Sequence, residues 1–199
     1  MEKDVHDKDI HFDSKCIHGG QEQCAVTGAV MPAIYTSSTY GQESPGVHRG
    51  FEYSRSHNLT RYSFERALAS LEGTGLDESV DASHGGFAFG SGLAAIGTAL
   101  ELLDRDGLLI AGDDLYGGTN RLFSQVRERT QGLRVRYVDT TNPENVAEAL
   151  AEKGDSSAMV WIETPTNPTL KVTDIAAVAA VAHDHGAMVA VDNTFATPA

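Results

Sequence analysis

Basic residues are scarce in this chain. Among 199 residues, 15 Lys and Arg stand against 28 Asp and Glu, a formal net charge of −13. Nucleic-acid binding needs clustered Lys and Arg, so this balance argues against it; such acidity more often serves solubility. Cysteine is nearly absent. Cys16 and Cys24, with no second pair, make neither a zinc signature nor a disulfide framework, and read as free thiols in a reducing compartment. No apolar run approaches membrane-spanning length, which argues against a membrane partner. Residues Met1 to Asp9 carry charge of both signs. They lack the apolar core of a secretory signal and the Arg-rich, acid-free character of an organellar one, so a cytoplasmic location is expected. His183 and His185 flank Asp184 near the end of a predicted helix, where favourable charge or simple exposure competes with metal binding; no metal site is expected.

What is present is globular: 41% hydrophobic and 22% charged residues, enough for a sizeable core. Residues 1–13 read as a charged tail. Residues 14–62 are rich in Gly, Ser, Thr, Tyr and Pro and show little periodicity. That is too long for a simple loop, and reads as an extended arm whose partners lie elsewhere, for instance on another subunit. From 63 onward comes the main domain. Phe64, Ala67, Leu68 and Leu71 share a helical face, with Gly73 as its C-terminal stop. A polar loop is expected over 73–86. Strands are then predicted at 87–89, 108–111, 134–138, 159–162 and 187–191. The helices between them run from about Gly92 to Leu103, from Thr119 to Arg129, from the Asn142–Pro143 cap, and along the stripe Ile175, Val178, Ala179 and Ala182. Alternation of this kind means an α/β fold with a parallel sheet and right-handed crossovers.

In such a sheet the residues just after each strand gather at one edge. They are Gly90–Leu93, Asp113–Gly118, Glu163–Pro168 and Asp192–Thr194. The first group offers glycines and a helix N-terminus, which together suit a phosphate. It also fits a loose G-x-G-x-x-A pattern at Gly90, Gly92 and Ala95, with Asp113 after the next strand. A dinucleotide-binding fold is therefore one reading, and glycines needed only for a tight turn is another. Tyr116 could stack on a planar ligand, but spacing alone favours a buried tyrosine with its hydroxyl satisfied. Asp192 could pair with a ligand cation or cap a turn. Asn167 could meet a ligand oxygen or stabilise its own Asn-Pro turn. One ligand uses all four groups: pyridoxal phosphate has a phosphate, a flat ring, a phenolic oxygen and a ring nitrogen whose pKa a neighbouring Asp raises.

The segments Gly50–Arg55, Ser91–Ala95, Asp113–Thr119, Trp161–Thr169 and Asp192–Phe195 resemble the Cys/Met-metabolism family of pyridoxal phosphate enzymes. Within it the wording is most similar to the cystathionine γ-lyases, with the γ-synthases close behind and methionine γ-lyases a further alternative. The resemblance runs from about Ser14 to the end and covers the N-terminal half of such an enzyme. It implies an aspartate-aminotransferase-like large domain, a parallel-sheet α/β/α sandwich, here truncated and preceded by an intersubunit arm. It implies a carbon–sulfur lyase or transferase of sulfur amino-acid metabolism, a sulfur amino-acid substrate and pyridoxal 5′-phosphate as cofactor. It also implies a homo-oligomer, a tetramer of dimers with shared active sites when full length.

By the same resemblance, Gly92 and Leu93 bind the phosphate with Ser91 nearby, and Tyr116 stacks on the ring and serves proton transfer. Asp192 pairs with the ring nitrogen, and Asn167 and Thr194 lie near the ring. Tyr53 and Arg55 reach the phosphate of a neighbouring subunit, and Arg121 is a substrate-side contact. Leu59 stands where the family has proline, and Gly90 where it has alanine. The family's Schiff-base lysine belongs to a later segment. The five lysines here, Lys3, Lys8, Lys15, Lys153 and Lys171, offer no evident replacement. The chain alone is therefore expected to be inactive, and a non-catalytic remnant is the rival reading.

Overall fold

The computed structural model describes residues 10–21, 23–73 and 85–198; residues 1–9 of the expected tail and 74–84 of the expected loop lie outside them. The chain divides into two compact units, one reaching Ala88 and the other running from Phe89 to Thr197.

Among its described residues the first unit has two helices, α1 (Phe12–His18) and α2 (Leu59–Leu71), and a long irregular segment between them. Asn58 caps α2 by accepting from the Thr60 and Arg61 N–H groups. The same turn then organises the irregular segment. The Thr60 hydroxyl accepts from Tyr35 N–H and donates to Ala33 O, while Arg61 donates to the carbonyls of Ser54, Arg55 and Ser56. Leu59 is the first residue of α2, a position that proline also suits, so the exchange of one for the other leaves the helix start intact. The stretch at 87–89 forms no strand among the described residues: Ala88 N–H donates to the buried Glu65 carboxylate instead of to a neighbouring strand. Its short apolar run reads as a strand in the sequence, but the sequence does not show its partner.

The second unit starts with α3 (Gly92–Ala99), extended by a 3₁₀ turn at Leu100–Leu102. It continues with β1 (Leu108–Gly112), α4 (Gly117–Arg121), a π-helical turn at Leu122–Arg127 and α5 (Glu128–Gln131). Then follow β2 (Arg134–Val138), α6 (Pro143–Leu150), β3 (Ala158–Glu163), α7 (Ile175–Asp184) and β4 (Met188–Asp192). The four strands are all parallel, in the order β2-β1-β3-β4. β1 and β3 are buried on both faces, which is why their sequences are continuous apolar runs rather than alternating ones.

Alternate residues of those strands feed two cores. Leu109, Ala111, Met159 and Trp161 pack with Ile96, Leu100 and Phe123 on one face, where the Phe123 and Trp161 rings meet edge to face at 5.5 Å. Leu108, Ile110, Val160 and Ile162 pack with Val146, Leu150 and Val178 on the other. The result is an α/β/α sandwich. No described helix is long and apolar enough to cross a membrane.

Candidate functional site

Between β1 and β3 the strand order reverses, because β2 was added on one side and β3 on the other. At such a point the flanking loops diverge and leave a crevice at the carboxyl ends of the strands. A cavity of about 390 Å³ lies there, wholly within the second unit. The start of α3 gives it Ser91, Gly92, Leu93 and Ile96. The loop after β1 gives Tyr116. β3 and its loop give Glu163, Pro165 and Asn167, and the end of β4 gives Asp192, Thr194 and Phe195. Seven of the expected site residues, Ser91, Gly92, Leu93, Tyr116, Asn167, Asp192 and Thr194, thus meet in one cavity.

Most of them bring unspent polar capacity. Ser91 caps α3 through Oγ, accepting from Ala94 N–H. The first N–H groups of a helix have no partner within it, and those of Gly92 and Leu93 have no acceptor among the described residues. A Cβ at Gly90 or Gly92 would meet nothing within 4 Å, so tight packing does not explain these glycines. The missing strand at 87–89 also removes the strand–turn–helix setting that a dinucleotide fingerprint requires.

Tyr116 is the clearest correction to expectations from spacing. It is not buried: half its surface is exposed and its hydroxyl has no partner among the described residues. The ring lies over the backbone of Gly118, whose absent side chain makes the space. Asn167 likewise does not stabilise its own turn with its amide, which makes no hydrogen bond among the described residues. Asp192 is steadied by Thr194, whose N–H and hydroxyl both donate to Oδ1, leaving Oδ2 free.

Sequence reading placed Glu163 at the sheet edge but gave it no role. It ends β3 directly beside Asp192 in the ladder, is 5% exposed, and accepts from Tyr116 N–H at 2.9 Å and Asn167 N–H at 2.8 Å. Burial pushes its carboxyl above the ordinary range; those two N–H groups partly offset this, and the charges of Asp192 and Asp114 add to it. The signal available in advance was an acid ending a strand that is otherwise fully apolar. Ile96, Pro165 and Phe195 were also missed as apolar walls.

Below the cavity the loop after β3 is tied to the loop after β1. Asp114 Oδ2 accepts from the hydroxyls of Thr166 and Thr169 and from Thr169 N–H. Lys171 Nζ lies 2.8 Å from Asp113 Oδ1 and 3.5 Å from Asp139 Oδ2. The hydrogen bond to Asp113 holds its amine above the usual lysine range, as an ammonium ion.

Arg121 ends α4 and does not line the cavity; its guanidinium lies near Gly117. Tyr53 and Arg55 belong to the first unit, where Arg55 Nη2 donates to the Tyr53 hydroxyl at 2.7 Å and Arg55 lies against the Tyr53 ring. Cys16 and Cys24 are unbridged. His185 binds the Val181 carbonyl at the end of α7, and no described cluster of His, Cys, Asp and Glu has the makings of a metal site.

Known proteins fit this geometry. The chain is 47% identical to the cystathionine beta-lyase of Coxiella burnetii over 193 residues, covering 97% of this chain and 47% of that one. It is 45% identical to the cystathionine gamma-lyase of Bos taurus, covering 93% of this chain and 43% of that one. The crystal structure of metB from Corynebacterium glutamicum superposes with a TM-score of 0.86 at 36% identity, covering 98% of this chain and 48% of that one. The chain therefore spans about half the length of the relatives it matches. A family model described as Cys/Met metabolism PLP-dependent enzyme matches residues 13–199, and the chain belongs to that family.

Proposed function

We propose that the second unit is the cofactor-binding part of a carbon–sulfur lyase or transferase acting on a sulfur amino acid such as cystathionine. The observation that carries this is the free polar set in one cavity: two helix-start N–H groups, an exposed ring, an unbonded amide and a carboxylate with one free oxygen. Pyridoxal phosphate fits these residues group for group, and when bound it supplies an electron sink for the substrate's Cα.

In this reading the Gly92 and Leu93 N–H groups hold the phosphate, with the positive end of α3 behind them. Tyr116 covers one face of the ring and is placed to take or give a proton at its hydroxyl. The free Asp192 oxygen holds the proton on the ring nitrogen, and Thr194 fixes the angle of that carboxylate. Asn167 donates toward the phenolic oxygen. The Tyr53–Arg55 pair, whose guanidinium has no ion pair with a described residue, serves the phosphate in a neighbouring subunit of a homo-oligomer. The names of the relatives support β- and γ-cleavage alike.

The test is incubation of the chain, fused to a C-terminal half that supplies the family's Schiff-base lysine, with pyridoxal phosphate and cystathionine, with thiol release followed and the keto acid identified. Pyruvate marks cleavage on the β side of one half of the substrate, and 2-oxobutanoate marks γ-cleavage of the other. A second reading, a cofactor-binding chain without turnover, is favoured by one observation: no lysine lines the cavity among the described residues, and Lys171 is committed to Asp113. Cofactor binding with no thiol release supports it.

A further inference from the structure

Resting on that reading of the cavity, we propose that Glu163 is its positioning residue, fixing the loop that carries the stacking ring and the loop that carries the hydrogen-bonding amide. Two loops must agree for the cavity to work, one after β1 carrying Tyr116 and one after β3 carrying Asn167. Neither is held by a regular ladder at that point. Glu163 joins them with one oxygen each: Oε2 accepts from Tyr116 N–H at 2.9 Å, and Oε1 from Asn167 N–H at 2.8 Å.

The arrangement requires an acceptor on both sides. A carboxylate has two acceptor oxygens, whereas glutamine has one oxygen and an NH₂ that only donates. Glu163→Gln keeps the shape but turns an N–H donor toward another donor, at Tyr116 or at Asn167. Aspartate is one methylene shorter and does not span both. The strand supplies the rest of the precision, because Glu163 pairs with Asp192 in the β3–β4 ladder. The carboxylate that sets the loops and the one that meets the ring nitrogen are therefore fixed to one rigid frame. Burying a charged acid there is unfavourable, as the upward shift of its pKa indicates, and the two main-chain N–H groups offset part of that penalty.

The experiment uses pyridoxamine 5′-phosphate, which keeps the phosphate, ring and ring nitrogen but has no aldehyde and so needs no lysine. Its affinity and the absorbance change on binding are measured for the 199-residue chain and for Glu163→Gln, Tyr116→Ala, Asn167→Ala and the two double variants. Glu163→Gln weakens binding by about tenfold or more, the size of one lost hydrogen bond to a charged group, and reduces the absorbance change. Because Glu163 acts through its two neighbours, its loss and theirs combine to less than the product of the separate effects.

Effects that multiply independently overturn the proposal while leaving the cofactor reading in place. A wild-type chain that does not bind the probe overturns both. Amide hydrogen exchange keeps the proposal testable if Glu163→Gln does not fold: in the wild type the Tyr116 and Asn167 N–H groups exchange slowly, and rapid exchange of either refutes it.

Discussion

A methyl group added at Gly118 has no room where it would stand. Its Cβ would lie 2.4 Å from Cε1 of Tyr116, a distance carbon atoms do not tolerate. The ring is half exposed, so it yields rather than the backbone. The expected result of Gly118→Ala is therefore a turned tyrosine in an otherwise intact fold. Helix propensity does not oppose alanine here, at the second residue of α4. Pyridoxamine phosphate binding to Gly118→Ala falls by about two- to tenfold, the loss of roughly one stacking contact, while the thermal midpoint stays within a few degrees of wild type. Unchanged binding removes Tyr116 from the cofactor face. Gly117 and Gly118 are plain in the sequence, but the use of Gly118 as room for the tyrosine itself needed the ring's position.

Apolar patterns and the Asn142–Pro143 cap made most elements readable in advance. Asn58 and Asp174 start α2 and α7 in the same way as Asn142 starts α6, with side chains that accept from the next turn, but only the structure picks them out as caps. The runs that became β1 and β3 are apolar and buried at nearly every position, whereas β2 carries Arg134 and Arg136 and β4 is only half-buried. The failures share a cause: they depend on partners far along the chain. The 87–89 stretch has no strand beside it among the described residues, the π-helical turn between α4 and α5 has no composition of its own, and Glu163 gains its role from an N–H 47 positions away. The β3–α7 loop is another long-range structure, and it carries a pH signature. Hydroxyl donation from Thr166 and then Thr169 holds the Asp114 carboxyl below its ordinary value. Stability from such a group is complete above the ordinary Asp range and is lost as pH falls through the lowered value. In thermal melts from about pH 7 downward, Asp114→Asn melts below wild type at neutral pH, and the gap narrows below about pH 4 as wild-type Asp114 takes up its proton. A gap that stays constant in acid contradicts this account of the loop.

At the scale of the whole molecule, the order β2-β1-β3-β4 decides both where the cavity lies and where stability is stored. The two central strands are covered on both faces by the two cores, whereas β4 has one neighbour and half-exposed side chains. The same chemical change should therefore have unequal effects one strand apart. Val160 in β3 is 0% exposed, and Val191 in β4 is 36% exposed. Val160→Ala removes two methyl carbons from a close-packed interior and leaves a cavity, costing about 2 kcal/mol. Val191→Ala removes carbons that already meet solvent, costing about 0.5 kcal/mol or less. Urea unfolding of the two variants measures this directly, as a clear drop in midpoint for Val160→Ala and a small one for Val191→Ala, with unchanged slopes. An equal drop means that something covers β4 in solution. In the homo-oligomer proposed for this chain, a second copy is the natural candidate. The two outcomes then differ in protein concentration dependence, because an edge covered by another copy loses its protection on dilution and one buried within the chain does not.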